Sequence, residues 1–346
     1  MFTTAAHVCD LMDQAGRDRQ PFLFGLTYEL DEGFFVAEPL AQHKVLFDLD
    51  GQGNAAAISD VYDANPARFE THPESRERYR QRFEVVQQAL QRGDSYLANL
   101  TIATRVSTDL GLEQIFARST ALFRLLVPGR FVCFTPERFV RLDAGRIHCH
   151  PMKGTIDATV PRAAERLQAD PKEVAEHVTT VDLIRNDLAM VASNVRVARF
   201  RYLDRLETTS GPILQASSEL VGDLPDDYLH HLGDTIAALL PAGSICGAPK
   251  PATLAMLRQA EGRPRGYYTG VAGYFDGAVL DTFVLIRYLE QTPTGLVFRS
   301  GGGITLDSDV DAEYAEALTK VYLPASRCSS NRPKLAPKGP QRPIED

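Results

Sequence analysis

The chain of 346 residues is 44% hydrophobic and 24% charged, the make-up of a globular protein with enough apolar residues for one large core or two medium ones. A net charge of −8 with no long basic block excludes an ordinary nucleic-acid surface, and any bound anion must be met by local cations or a metal. Cys9, Cys133, Cys149, Cys246 and Cys328 are odd in number and lack CxxC spacing, so reduced thiols in a cytoplasmic protein are expected; no basic leader or membrane-length apolar run is seen.

In chain order, residues 1–73 carry a short helix, a strand-like FLFGLTYEL and a DGQGN turn, and read as a short N-terminal segment packed on a catalytic core of 74–325. An amphipathic helix is predicted from Glu74 to Arg92, stopped by Gly93, followed by a strand in DSYLANLTIATRV and a helix over 112–126. RFVCFTPERFVRLDAGRIHCHPMKGT reads as two strands joined around a DAG turn. Helical character over 162–192 precedes strands near 195–222, a helix near 228–240 and the Gly/Pro-rich loop PAGSICGAPK. A helix, strands at 267–291 and 296–304, and a helix over 311–322 complete the core; the Pro-rich, charged tail 326–346 is expected to be disordered. Runs of adjacent strands separated by single helices predict an α+β fold.

Three patterns fail as sites. His148 and His150 share a strand face but have no further ligand set nearby. GSICGAPK lacks phosphate-loop spacing, and Pro251 follows Lys250 where a hydroxyl is needed. DSDVDAEYAEAL has Ala312 where a calcium loop needs glycine and Leu318 where it needs a bidentate glutamate.

Other residues carry more. Lys153 stands between a proline turn and a Gly-Thr pair, a stiff setting that a solvated lysine does not need. Glu173 and Glu176, like Glu313 and Glu316, are three apart and share a helix face. Each pair alone is compatible with a solvated surface; four carboxylates on one cavity would call for a divalent cation, and hard oxygen ligands favour Mg²⁺. Arg287 lies in an apolar strand-like run, either in a structural ion pair or poised to hold a carboxylate, with Tyr268 as a neighbouring donor. In the glycine run that Gly301 opens, backbone N–H groups of Gly302 and Gly303 offer a second anion site.

The ordered set PMKGT, EHVTTVDLIRNDL, GSICGAPK, RGYYTGVAGYF, IRY and GGGITLDSDVDAEYAE resembles the chorismate-utilising enzymes, from about Glu74 to Leu323. The resemblance is to the aminodeoxychorismate synthase component I branch, with anthranilate synthase component I and isochorismate and salicylate synthases as relatives. It implies two packed β-sheets with outer helices around a chorismate site. Glu176 and Glu316 would be the main Mg²⁺ ligands, supported by Glu173 and Glu313. Tyr268, Arg287 and the glycines would hold substrate carboxylate, and Gly154 and Thr155 would line the ring.

Lysine in the PMKGT motif, where anthranilate synthases carry alanine, implies amination through a lysine adduct at Lys153, with Glu137 of TPERF handling protons. The water-activating lysine of isochorismate-type relatives is replaced by Leu97, and the family histidine of the HLxS strand by Gln215. The loop LFRLLVPGRF lacks the NPSPY-like segment, and no tryptophan-binding or glutaminase motif is present. Ammonia is therefore expected from a glutamine amidotransferase subunit, for 4-aminobenzoate and folate synthesis. Anthranilate- or salicylate-type lyase activity and a silent chorismate-binding subunit stay open as alternatives.

Overall fold

The computed structural model describes residues 1–55, 67–208 and 211–324; the tail expected to be disordered, 326–346, lies outside them. The chain begins with β1 (Phe2–Thr4), α1 (Ala5–Arg17), β2 (Phe22–Leu26), β3 (Glu32–Ala37), β4 (Leu46–Leu49), β5 (Gln52–Gly53) and β6 (Phe69–Pro73). Next come α2 (Arg76–Gln91), β7 (Leu97–Thr108), α3 (Leu112–Arg118), β8 (Phe123–Val127), β9 (Phe131–Thr135), β10 (Arg138–Asp143), β11 (Arg146–Cys149) and β12 (Met152–Asp157). Two helices, α4 (Ala163–Ala169) and α5 (Pro171–Leu188), precede the long hairpin of β13 (Ser193–Thr208) and β14 (Gly211–Asp223). The remainder is α6 (Leu232–Leu239), α7 (Gly243–Cys246), β15 (Gly247–Ala248), α8 (Lys250–Glu261), β16 (Val271–Phe275), β17 (Leu280–Val284), β18 (Tyr288–Thr292), β19 (Gly295–Ile304) and α9 (Val310–Thr319).

These strands build two antiparallel sheets, the α+β architecture expected. A ten-stranded sheet runs β1-β3-β2-β16-β17-β10-β11-β14-β12 with β13 added to β14. A nine-stranded sheet runs β15-β7-β19-β18-β9-β8-β4-β5 with β6 beside β7. Residues before 74 supply strands of both sheets, β2 pairing with β16 along its full length.

Side-chain alternation assigns each strand face to a layer. On β2, Phe22, Phe24 and Leu26 join the core under α1, α5 and α6, while Leu23 points into the core between the sheets. On β8 and β9, Phe123, Leu125, Val127, Phe131 and Cys133 face that inter-sheet core, and Leu126, Val132 and Phe134 face the α3 side. Helices α2 and α8 cover β7 through Tyr79, Phe83, Met256 and Leu257. The order is helix, sheet, sheet, helix.

Strands buried on both faces explain where the sequence misleads. The helix expected over 112–126 ends at Arg118, and Phe123–Val127 is a fully buried strand. An apolar run with both faces covered loses the alternation that distinguishes strand from helix. Residues 267–291 hold β16, β17 and most of β18 rather than one strand; β16 and β17 are buried along their whole length. The helical stretch 162–192 is two helices, because Asp170 turns extended and caps α5, accepting from the N–H groups of Lys172 at 2.9 Å and Glu173 at 3.2 Å, with Pro171 at the first helical position. The loop PAGSICGAPK contains the short α7 and β15, and the last helix stops at Thr319.

One buried ion pair ties the layers beside the cavity. Arg265, 3% exposed, donates to both carboxylate oxygens of Glu261 at 2.8 and 2.9 Å and to the backbone oxygens of Asn99 on β7 at 2.6 Å and Ile245 on α7 at 3.1 Å. Arg265→Met leaves Glu261 charged and uncompensated, and should lower unfolding stability in urea by about 3–5 kcal/mol. Arg265→Met combined with Glu261→Leu should recover much of that loss in the same measurement.

Candidate active site

A cavity of about 320 Å³ opens where the edges of the two sheets meet, a size suited to a small organic ligand. Lys153, Glu137, Tyr268, Arg287, Gly301, Gly302, Gly303 and Glu316 all line it. Segments far apart in sequence thus bring most of the predicted site residues together.

Lys153 is the second residue of β12. Its pairing with β14 shifts register between Met152 and Thr155, and Gly154 has φ +88°, a left-handed conformation that favours glycine. A side chain at Gly154 would also place its Cβ 2.8 Å from Glu173 Oε2. This irregularity separates neighbours that the sequence groups together. Lys153 lines the cavity, whereas Thr155 is exposed and lines a shallow depression with Glu173. The Lys153 ammonium nitrogen has no hydrogen-bond or ion-pair partner among the described residues. Its backbone is fixed by the fully buried His177, whose Nδ1 lies 3.3 Å from the Lys153 oxygen and whose Nε2 lies 2.7 Å from Ser218 Oγ. Ser218 Oγ already accepts the Arg201 N–H at 2.9 Å, which fits a tautomer with the proton on Nδ1.

Glu137 occupies the turn from β9 into β10, half-buried, and accepts from Ser244 Oγ at 3.5 Å. Burial pushes its carboxyl above the usual range, against the opposing pull of the Lys153 and Arg287 charges. Glu137 is thereby shifted toward holding a proton in a cavity that the unpartnered Lys153 amine also lines.

Arg287 lies between β17 and β18 at φ +52°, not within a strand, so its guanidinium leaves the sheet and reaches the cavity. No carboxylate among the described residues pairs with it, which leaves the structural ion-pair alternative without support; its Nε donates to the Tyr322 hydroxyl at 3.2 Å. Tyr268 is 3% exposed and precedes Thr269, another left-handed residue at φ +60°.

The glycines owe their accessibility to strand length. β19 pairs with β7 as far as Ile304 opposite Ala98, but with β18 only as far as Arg299 opposite Tyr288. From Ser300 onward β18 no longer covers that edge. A Cβ at Gly302 would stand 3.2 Å from Glu313 Oε2.

Of the four glutamates Glu316 lines the cavity, Glu313 lies against Gly302, Glu173 lines the neighbouring depression, and Glu176 lines neither; they do not close into a ligand sphere. Lys172 lies 3.9 Å from Glu176 on its own helix and its charge acts on Glu313 and Glu316 of α9, so both pairs border one region. Burial raises the carboxyls of Glu173 and Glu313, and like-charged Glu176 and Glu316 add to this. Glu316 is held low: burial opposes ionisation, but the Lys320 hydrogen bond and the charges of Lys320, Lys153 and Lys172 outweigh it. Hard oxygen donors with internally repelling pairs suit a divalent cation in their chemistry. Among the described residues, the three-ligand group whose donor atoms do converge is Asp13, His231 and Asp234, away from the cavity.

Sequence reasoning did not single out Asp187, Ser244 or Lys320, all cavity-lining. Asp187 pairs with Lys250 at 2.9 Å and accepts the Gly243 N–H at 3.2 Å, holding the loop that carries Ser244. Lys320 bridges Glu316 and the Gly301 oxygen, both at 2.8 Å. Its spacing of four from Glu316 was the legible signal. Leu97 and Gln215, noted as departures from relatives, do line the cavity.

Comparison with known proteins supports this picture. Residues 42–325 match the family described as chorismate binding enzyme. An uncharacterized PabA-like protein of Pasteurella multocida is 47% identical over 315 residues, covering 90% of this chain and 96% of that protein. Aminodeoxychorismate synthase component 1 of Salmonella typhimurium is 33% identical over 76% of this chain, and anthranilate synthase component 1 of Archaeoglobus fulgidus is 33% identical over 71%. The chain spans 58% and 61% of the length of those two proteins. In fold, the isochorismate synthase MenF of Escherichia coli superposes with a TM-score of 0.70 at 17% identity, covering 92% of this chain and 82% of that one. With the match spanning both sheets and every cavity-lining segment, the chain belongs to the chorismate binding enzyme family.

Proposed function

We propose that this chain is an aminodeoxychorismate synthase component I, converting chorismate and ammonia to 4-amino-4-deoxychorismate. The observation that carries the reading is the unpartnered Lys153 amine inside the cavity, which it shares with a carboxyl, Glu137, that burial pushes above its usual range. Arg287, Tyr268 and the uncovered glycine edge of β19 supply cationic and polar contacts for substrate carboxylates. Glu176 and Glu316, supported by Glu173 and Glu313, would hold Mg²⁺, which would neutralise a substrate carboxylate.

Lys153 Nζ, as the free amine, forms a bond to C2 of the ring and gives up a proton, both ring double bonds shift (C1=C2 to C1=C6 and C5=C6 to C4=C5), and the C4–oxygen bond breaks. Glu137 delivers the proton with which that hydroxyl leaves as water. Ammonia then bonds to C4, both double bonds shift back, and the C2–nitrogen bond to Lys153 breaks, with Glu137 managing the proton balance. Leu97, at the position of the water-activating lysine of isochorismate-type relatives, and Gln215 line the cavity without charge, which disfavours hydration chemistry. Ammonia comes from a glutamine amidotransferase subunit, a reading that the PabA-like names of relatives favour. The product serves 4-aminobenzoate and folate synthesis in the cytoplasm after a separate lyase acts.

Chorismate, Mg²⁺ and ammonium incubated with the protein should give 4-amino-4-deoxychorismate by mass spectrometry; anthranilate or pyruvate as main product without added lyase would overturn the proposal. Lys153→Ala should fold normally but form no covalent adduct with chorismate by intact mass. Glu137→Gln, which cannot deliver a proton, should lower kcat by roughly 10²- to 10⁴-fold. Glu176→Gln should raise the Mg²⁺ concentration needed for half-maximal rate far more than Glu173→Gln, and equal titrations would refute the ranking of ligands.

A further inference from the structure

Tyr322 sits just beyond α9, outside every motif that points to the cavity, and is 43% exposed. Its contacts nevertheless converge on Arg287. The hydroxyl accepts the Nε proton at 3.2 Å, and the guanidinium carbon lies 5.8 Å from the ring centroid. The Tyr322 ring stands edge-on to Phe134, with centroids 6.1 Å apart, and the Phe134 N–H donates to the Arg287 oxygen at 3.2 Å. Phe134 therefore supports the arginine's backbone and the tyrosine that meets its side chain. Neighbouring residues fix the segment: Val321 and Leu323 pack on the core cluster containing Phe134, and Lys320 is bound to the Gly301 oxygen.

The nature of the partner matters. A carboxylate on Nε would orient Arg287 and also neutralise it. A phenol orients it and leaves the charge intact. The two terminal nitrogens have no partner among the described residues, and the residue lines the cavity. We propose that Tyr322 is a positioning residue that holds Arg287 by Nε, so that the terminal nitrogens face a substrate carboxylate as a preset fork. The identity of that substrate rests on the chorismate reading above; the holding of Arg287 does not.

Two measurements test this on the full chain. Arg287 Nε–H exchange, followed by ¹⁵N NMR without ligand, should be about tenfold faster in Tyr322→Phe, which keeps the ring and loses only the hydroxyl. An unchanged exchange rate would overturn the proposal. In steady-state kinetics, Tyr322→Phe should raise the KM for chorismate about fivefold with kcat nearly unchanged. In an Arg287→Lys background, which lacks Nε, Tyr322→Phe should add nothing. A fall in kcat at constant KM, or an effect undiminished in that background, would also overturn it. A wild type inert toward chorismate would remove the chorismate reading alone, because the exchange rate still decides whether Tyr322 holds Arg287.

Discussion

The site exists because a strand ladder stops early. β18 begins at Tyr288, opposite Arg299, so the glycine segment of β19 continues along β7 with its other edge uncovered by β18. The residue before that start, Arg287, takes a left-handed conformation and leaves the sheet at the same point. One truncation of pairing thus opens backbone and delivers a cation. Had β18 extended further, the ladder would have consumed the groups that make the cavity useful.

Charge around this opening is distributed by purpose. Arg265, Lys250 and Lys320 are paired, and they tie α8, the α7 loop and α9 to the walls. Lys153 and Arg287 have no carboxylate partner among the described residues, although both act on Glu137 through space. In a protein of net charge −8, leaving two cations uncommitted in one cavity concentrates positive potential where a dicarboxylate would bind. The carboxylates sit mainly to one side, on α5 and α9.

Much of this was legible in the sequence. Gly93, expected to stop α2, does follow its end at φ +79°, and the DAG turn did join β10 to β11. The α+β class followed from runs of neighbouring strands, and the resemblance to the chorismate-utilising enzymes implied the two packed sheets. The misread segments share a cause: β8, β16 and β17 are covered on both faces, so their apolar residues lose the alternation on which strand assignment depends. Of the site, residues with unusual surroundings stood out, namely Lys153 in its stiff turn and the paired glutamates. Thr155 was misplaced because a register shift is invisible in sequence. Asp187 and Ser244 were missed because their partners lie 63 and 107 residues away, at Lys250 and Glu137.

The missing side chain at Gly154 has a consequence for how such a site can change. Its backbone lies against Glu173 of α5, so the amine-bearing strand and the acidic helix share a surface with no slack. A drift of α5 would be felt one residue from Lys153, and a bulkier residue at 154 would push the helix away. Lys153 and the acidic helix can therefore diversify only as a unit, and a new chemistry here must be found by exchanging residues around that fixed seam.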